Sequence, residues 1–171
     1  MREWKTILLF LVFFICLHTS RAHATPILLY NTGVDDDGQV LNAGAVDPHY
    51  SLISSADPIY AGPDAYVVND GWPLWPDGPW LPNSSDSKWI SHRPDVDSII
   101  GGGTYIYRTT FDLTGFDPYT AIISGLWATD NEGLDILVNG NSTGITNITQ
   151  FTTFAEFTIN QGFIAGLRMR K

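Results

Sequence analysis

One stretch of the sequence concentrates side chains that suit ligand binding. Residues 72–89 read WPLWPDGPWLPNSSDSKW and hold four of the six tryptophans, Trp72, Trp75, Trp80 and Trp89. Indole rings bury a large flat area and lose little rotamer entropy when they do so. The stretch predicts a stacking surface for sugar rings. The alternative is that the four rings stack on neighbouring prolines and close one end of the domain.

A second candidate site is the acidic turn Asp130, Asn131 and Glu132, which lies between two apolar runs. Carboxylate and amide oxygens accept hydrogen bonds from sugar hydroxyls and also bind Ca²⁺. The same residue types are common in solvated hairpin turns that hold no ligand. Both interpretations of this turn stay open at the level of sequence.

A third candidate is the run Asp35, Asp36 and Asp37 before Gly38, which invites comparison with calcium loops. An EF-hand loop requires Glu at its twelfth position, and this sequence has Val46 there, so the run does not match that motif. A structural Ca²⁺ held by one or two of these aspartates is one alternative, and a solvated turn without a cofactor is the other.

Catalytic motifs are missing from the sequence, which contains no G-x-S-x-G, H-E-x-x-H or P-loop pattern. His49 and His92 fall in segments that we predict to be loops, and we expect both to be surface residues. A carboxylate pair for glycoside hydrolysis is a spatial arrangement that a sequence cannot reveal. We therefore predict a protein that is not an enzyme, with a glycoside hydrolase as the remaining enzymatic alternative.

The acidic charge balance of the chain bears on whether nucleic acid can be a partner. The chain has 171 residues, the length of one ordinary domain, with 9 Lys+Arg against 18 Asp+Glu and a net charge of -9. Nucleic-acid binding depends on clustered basic side chains that neutralise phosphates. This acidic composition therefore predicts that nucleic acid is not a partner.

The first 24 residues have the pattern of a secretory signal peptide. Arg2 and Lys5 precede an apolar run over residues 6–17, and Ala22-His23-Ala24 offers a small-x-small cleavage site. The run is shorter than the ~20 apolar residues that cross a bilayer. We predict a secreted or cell-envelope protein whose mature chain has no membrane span.

The mature chain then forms a single domain over residues 25–171 without disulfides, because the only cysteine, Cys16, lies in the leader. Short alternating runs separated by turn residues predict an all-β sandwich. The clearest strand covers residues 104–113. A second, over residues 120–129, is apolar on both faces as in a central strand. A third, over residues 134–139, follows it across the acidic turn and ends at Asn139-Gly140, a dipeptide suited to positive φ.

Weaker runs give the remaining predicted strands, at residues 27–30, 50–53, 65–68, 88–90 and 154–159. Eight strands fit a jelly roll, whereas the Cys and Trp spacing of an immunoglobulin-like sandwich is absent. Residues 34–48 are rich in Gly, Asp and Asn and are expected to form an ordered loop or a short turn of helix. The tryptophan stretch is expected to be a long surface loop because its prolines exclude regular strand pairing.

Several phrases of the sequence resemble a known family. They are NTGVDDDGQVLNAGAVDPHYSLI from Asn31, SKWI from Ser87, YIYRTTFDLTGFDP from Tyr105, SGLWATDNEGLDILVNGNSTG from Ser124 and FTINQGF from Phe157. Together they are similar to the secreted domain of bacterial PEP-CTERM proteins. The resemblance implies export, an exosortase-recognised C-terminal anchor and an association with the envelope or extracellular polysaccharide.

Part of the same sequence, WATDNEGLDILVNG, resembles the strand-turn-strand of galactose-binding-like jelly rolls. In those folds the loop oxygens meet a sugar or Ca²⁺. The chain departs from the PEP-CTERM family after Gly166, where Leu167-Arg168-Met169-Arg170-Lys171 stands in place of an apolar strand and the sorting anchor. We expect a truncated member with an unpaired sheet edge.

These observations predict a non-catalytic module that binds polysaccharide or cell-envelope glycan. The alternative is a structural or interaction protein of the cell surface that has no small ligand.

Overall fold

The computed structural model describes residues 27, 29–95 and 102–164 of the chain. The predicted signal peptide lies outside these residues, and so does the segment after Gly166 in which the sequence differs from the PEP-CTERM family. Within them, every regular element is a β-strand apart from one 3-10 turn at Pro118–Thr120. The protein is therefore all-β, as its sequence predicts. In the described ranges there is no helix with the length and apolarity that crossing a membrane requires.

The first four strands form one antiparallel sheet. They are β1 (Val46–Ser54), β2 (Asp64–Val67), β3 (Ile90–Ser91) and β4 (Ile106–Arg108), in the order β3-β2-β1-β4. The register of β1 shifts against β2 between Val46 and Ser51, and against β4 between Leu52 and Ser54. Such irregularities bend a strand and increase its twist. The sheet is curled as a result.

The remaining strands form two smaller antiparallel units. β5 (Ile123–Trp127) pairs with β8 (Ala155–Ile159), and β6 (Leu137–Val138) forms a hairpin with β7 (Asn141–Ser142). The hairpin turns at Asn139 and Gly140, whose φ angles are 51° and 81°. Positive φ at both central residues is typical of a type I′ turn. The predicted role of this dipeptide is confirmed.

Three strand predictions are wrong. Residues 104–113 do not form a ten-residue strand, because within this range only β4 has strand structure. Leu113, at the end of the range, packs with Ile159 and Phe163 instead of pairing in the sheet. Residues 27–30 contribute no strand among the described residues, and Tyr30 instead stacks on His49 with 3.6 Å between ring centroids.

The third wrong prediction concerns the segment around β5. It is not a central strand, because β8 is its one strand partner in the described part of the chain and the Leu126 side chain on β5 is 58% exposed. Nor does β5 form a hairpin with β6. The chain after the acidic turn bridges Gly133 to Asn147 instead.

Besides Leu52 on β1 and Ala65 and Val67 on β2, which are buried, the described residues contain two clusters of buried apolar side chains. Leu113, Ile159 and Phe163 form the larger one, which partly buried residues from β5, β6 and β8 surround. The smaller cluster joins Val68 to Leu74. Burying a side chain of this size contributes roughly 1.5 to 3 kcal/mol. Leu74 belongs to the tryptophan stretch, so that stretch is fixed to the core.

Candidate functional site

Two of the four tryptophans of residues 72–89 are part of the core. Trp80 and Trp89 pack against the cluster of Val68 and Leu74, and their ring centroids lie 4.8 Å apart. The Trp89 Nε1 group donates to the Leu81 carbonyl at 2.8 Å. Because both rings are engaged in packing, they do not offer free faces to a ligand. For these two residues the structure agrees with the packing alternative.

The other two tryptophans face solvent. Trp72 is 56% exposed and Trp75 is 67% exposed, although Pro73 and Leu74 between them are buried. The exposure is therefore not that of a loosely attached loop, because the residues between the two rings are anchored in the protein. We refer to Trp72 and Trp75 together as the tryptophan surface.

Backbone hydrogen bonds hold the segment beneath the tryptophan surface. Leu74 N donates to Gly71 O at 2.7 Å, and Gly78 N donates to Leu74 O at 2.8 Å. Trp75 N donates to Trp80 O at 2.8 Å, and the returning bond from Trp80 N reaches the Pro73 carbonyl at 3.0 Å. These bonds satisfy the backbone of a segment that has no regular strand, and they keep its two exposed rings on a fixed base.

Gly78 is required by this arrangement. A Cβ atom at this position would overlap the backbone of Pro73, including its carbonyl carbon and oxygen. Backbone atoms cannot move aside as the end of a flexible side chain can. A glycine at position 78 therefore allows the turn to close tightly enough for the bonds around Leu74 to form.

Carboxylates flank the tryptophan surface. The Asp77 Oδ2 atom lies 3.9 Å from the position that a Cβ atom on Gly71 would take, directly before Trp72 in the chain. Asp70, two residues before Trp72 in the chain, accepts a hydrogen bond on Oδ1 from Asn83 Nδ2 at 2.9 Å. Asp70 and Asp77 are both exposed. The tryptophan surface thus combines apolar ring faces with negative charge.

The acidic turn is exposed at all three of its predicted site residues, Asp130, Asn131 and Glu132. Thr129 Oγ1 donates to the Asn131 carbonyl at 2.8 Å, which shapes the turn. Partial burial of its carboxyl raises the pKa of Asp130. Among the described residues, no hydrogen bond connects this turn to Trp72 or Trp75.

Comparisons with protein-family models, with curated proteins and with solved structures gave no match. The resemblance to PEP-CTERM proteins stays a prediction.

The three consecutive aspartates lie in a turn, which the first of them stabilises. Asp35 Oδ1 accepts from the backbone N–H groups of Asp37 at 3.0 Å and of Gln39 at 2.8 Å. Asp36 and Asp37 are exposed. Within residues 29–95 and 102–164, no group of three or more His, Cys, Asp or Glu side chains is arranged to hold a metal ion. A Ca²⁺ ion held by one or two of the three aspartates stays a prediction.

The expectation of two surface histidines in loops is wrong for both. His49 lies in β1 with its side chain 11% exposed, and His92 is only 4% exposed. Its ring stacks on Tyr105 with 4.4 Å between centroids, and its Nε2 atom lies 3.4 Å from Asp57 Oδ2. Burial lowers the pKa of His92, and the negative charge of Asp57 opposes that shift. His92 follows β3, so its burial depends on how strands that are distant in sequence pair.

Sequence reasoning also missed Asp47, a carboxylate that is only 3% exposed. Its Oδ2 accepts from Gly33 N at 2.6 Å, and its Oδ1 accepts from His49 N at 2.8 Å and Tyr50 N at 3.0 Å. Three donors compensate the loss of hydration of the charge. Burial, together with the nearby charge of Asp47, raises the pKa of Tyr50 to about 12. These bonds hold the start of β1 in place, so the carboxylate of Asp47 is occupied by the backbone and not by a ligand.

Proposed function

We propose that the chain is a non-catalytic carbohydrate-binding module that acts in the cell envelope or outside the cell. Its binding surface is formed by Trp72 and Trp75. The observation that carries the proposal is that both indole rings are exposed while the residues between them, Pro73 and Leu74, are buried. Export rests on the sequence of residues 1–24.

The fixed base of the tryptophan surface is what suits it to weak glycan binding. A ring that is already held in place loses little conformational entropy when a sugar stacks on it. Large exposed apolar side chains are also found at interaction sites. The acidic turn is a secondary candidate, because its exposed oxygens can accept hydrogen bonds from sugar hydroxyls.

For the fold we propose a β-sandwich of the jelly-roll, galactose-binding-like type. Support comes from the larger apolar cluster, to which Ile123 of β5, Ile159 of β8 and Val138 of the β6-β7 hairpin all contribute. In this arrangement the strands provide the core, and the irregular segments between them carry the binding residues. The family resemblance noted above fits the same proposal.

A glycan array followed by titration calorimetry tests the proposed function. We expect Trp72→Ala and Trp75→Ala each to weaken glycan binding by about fivefold, since stacking on an aromatic ring contributes on the order of 1 kcal/mol. Tyr119→Ala is the matched control, because Tyr119 is 91% exposed and lies elsewhere. Absence of binding to any glycan would contradict the proposal, as would an equal loss in the control. Hydrolysis of a polysaccharide would contradict its non-catalytic part.

The second candidate is a self-associating surface protein, favoured by β5. Its residues Ile123–Trp127 carry no charge in a chain of net charge -9, so two β5 edges can meet without local repulsion. Leu126, next to the central Gly125 of the strand, has a 58% exposed side chain. Analytical ultracentrifugation should show a dimer that Leu126→Lys dissociates, whereas a monomeric wild-type protein contradicts this candidate.

A further inference from the structure

The charged side chains in the chain segment that contains the tryptophan surface are all acidic. Residues 69–87 contain Asp70, Asp77 and Asp86 and no Lys or Arg. The basic side chains of the described residues lie outside this stretch, at Lys88, Arg93 and Arg108. Arg93 is already paired with Asp95 at 2.9 Å. An anionic ligand on the two indole rings would therefore meet only carboxylates within this stretch.

Asp70 is held in place by a network that reaches the core. Asn83 Nδ2 donates to Asp70 Oδ1 at 2.9 Å and to the carbonyl of Val68 at 3.2 Å, while Asn83 Oδ1 accepts from Trp89 N at 2.9 Å. The second carboxylate oxygen of Asp70 has no hydrogen-bond partner among the described residues. It is available to accept a bond from a ligand.

We infer that the tryptophan surface selects glycans that carry free amino groups, such as polymers of glucosamine. The inference rests on the proposed function and specifies its ligand class. An ammonium group gains from the negative faces of the Trp72 and Trp75 rings. It also gains from the neighbouring carboxylates of Asp70 and Asp77. Uronic acids and sulfated sugars are disfavoured because like charges would be brought together.

The test compares three hexasaccharides by titration calorimetry: glucosamine, N-acetylglucosamine and galacturonic acid. At about pH 5 to 6, aspartates are ionised while amines are protonated. We expect the glucosamine hexamer to bind about fivefold more tightly than the N-acetylglucosamine hexamer, and we expect no binding of the galacturonate hexamer. The preference should shrink as salt is added, because the charges are exposed.

Two variants connect the preference to the carboxylates. The double variant Asp70→Asn, Asp77→Asn should keep the affinity of the wild type for the N-acetylated hexamer and reduce the preference for the glucosamine hexamer to the part that the two indole rings supply. Glu156→Gln removes one exposed negative charge from β8, where Glu156 pairs with Leu126 of β5, and should keep the preference. If it loses the preference as well, general charge and not this surface is responsible, and the inference is overturned.

The remaining outcomes separate the inference from the proposed function. Equal binding of the three hexamers by the wild type, or tighter binding of galacturonate, overturns the inference and leaves carbohydrate binding intact. Binding of spermidine as tight as that of the glucosamine hexamer overturns selectivity for glycans. No binding of any hexamer or array glycan overturns the proposed function, and the inference falls with it.

Discussion

The backbone N–H of Trp75 donates to the carbonyl of Trp80 over 2.8 Å, yet the two indole rings have opposite environments. Trp75 is 67% exposed, whereas Trp80 packs against Val68 and Leu74. One short turn thus holds a core residue and a candidate binding residue in a fixed relation. Substitutions at the two positions should separate stability from binding.

We expect Trp80→Ala to lower the free energy of unfolding by about 3 to 5 kcal/mol, because it leaves a cavity beside Leu74. Trp75→Ala should change it by no more than about 0.5 kcal/mol, as is usual for an exposed position. Urea denaturation followed by fluorescence measures both values. Equal losses in the two variants would mean that Trp75 is also a core residue.

Gly78→Ala should destabilise the protein by about 1 to 3 kcal/mol, since the added methyl group overlaps the Pro73 backbone. Gly102→Ala is the matched control, because a Cβ atom there meets nothing within 4 Å. The melting temperatures of the two variants provide the comparison. A stable Gly78→Ala protein would show that the turn at Pro73 is wider than described.

Asp47→Ala should cost about 3 kcal/mol or more, because it leaves the backbone N–H groups of Gly33, His49 and Tyr50 without their acceptor. Asp37→Ala changes an exposed carboxylate and should be close to neutral. Chemical denaturation distinguishes the two. A small effect at Asp47 would indicate that water replaces the carboxylate.

The pH dependence of stability should report on His92. Its pKa is lowered from 6.5 in the folded protein, so the unfolded chain binds more protons just below that pH. Stability that is fully present above about pH 6.5 should therefore decrease as the solution is acidified. The His92→Phe variant keeps an aromatic ring against Tyr105, and its stability should depend less steeply on pH between 7.5 and 5.5. Identical slopes for wild type and variant would contradict the assignment.

Local patterns predict part of this structure. Alternation of apolar and polar residues, with turn residues between the runs, indicates the all-β class. Asn139-Gly140 predicts a hairpin turn, because these two residue types adopt positive φ readily. Prolines exclude regular strands from residues 72–89 for the same local reason.

The rest depends on contacts between residues that are far apart in the sequence. Ser124 pairs with Thr158 rather than with a residue just across the acidic turn. Neither a serine nor a threonine has a side chain that identifies its pairing partner in a sheet. The exposure of Trp75 and the burial of Trp80 also follow from the position of the core. Sequence alone therefore identifies the tryptophans as candidates, but it cannot divide them into packing and exposed residues.

The link between the tryptophan stretch and the second half of the chain has a consequence for synthesis. Leu81 N donates to Phe151 O at 2.9 Å, and the Phe151 ring lies 6.3 Å from that of Trp80. A ribosome that adds about 5 to 20 residues per second needs on the order of several seconds to reach Phe151 after Trp80. During that interval the Trp80 ring of the nascent chain lacks its contact with Phe151. We expect a chaperone that binds exposed apolar side chains to bind the chain at this stage.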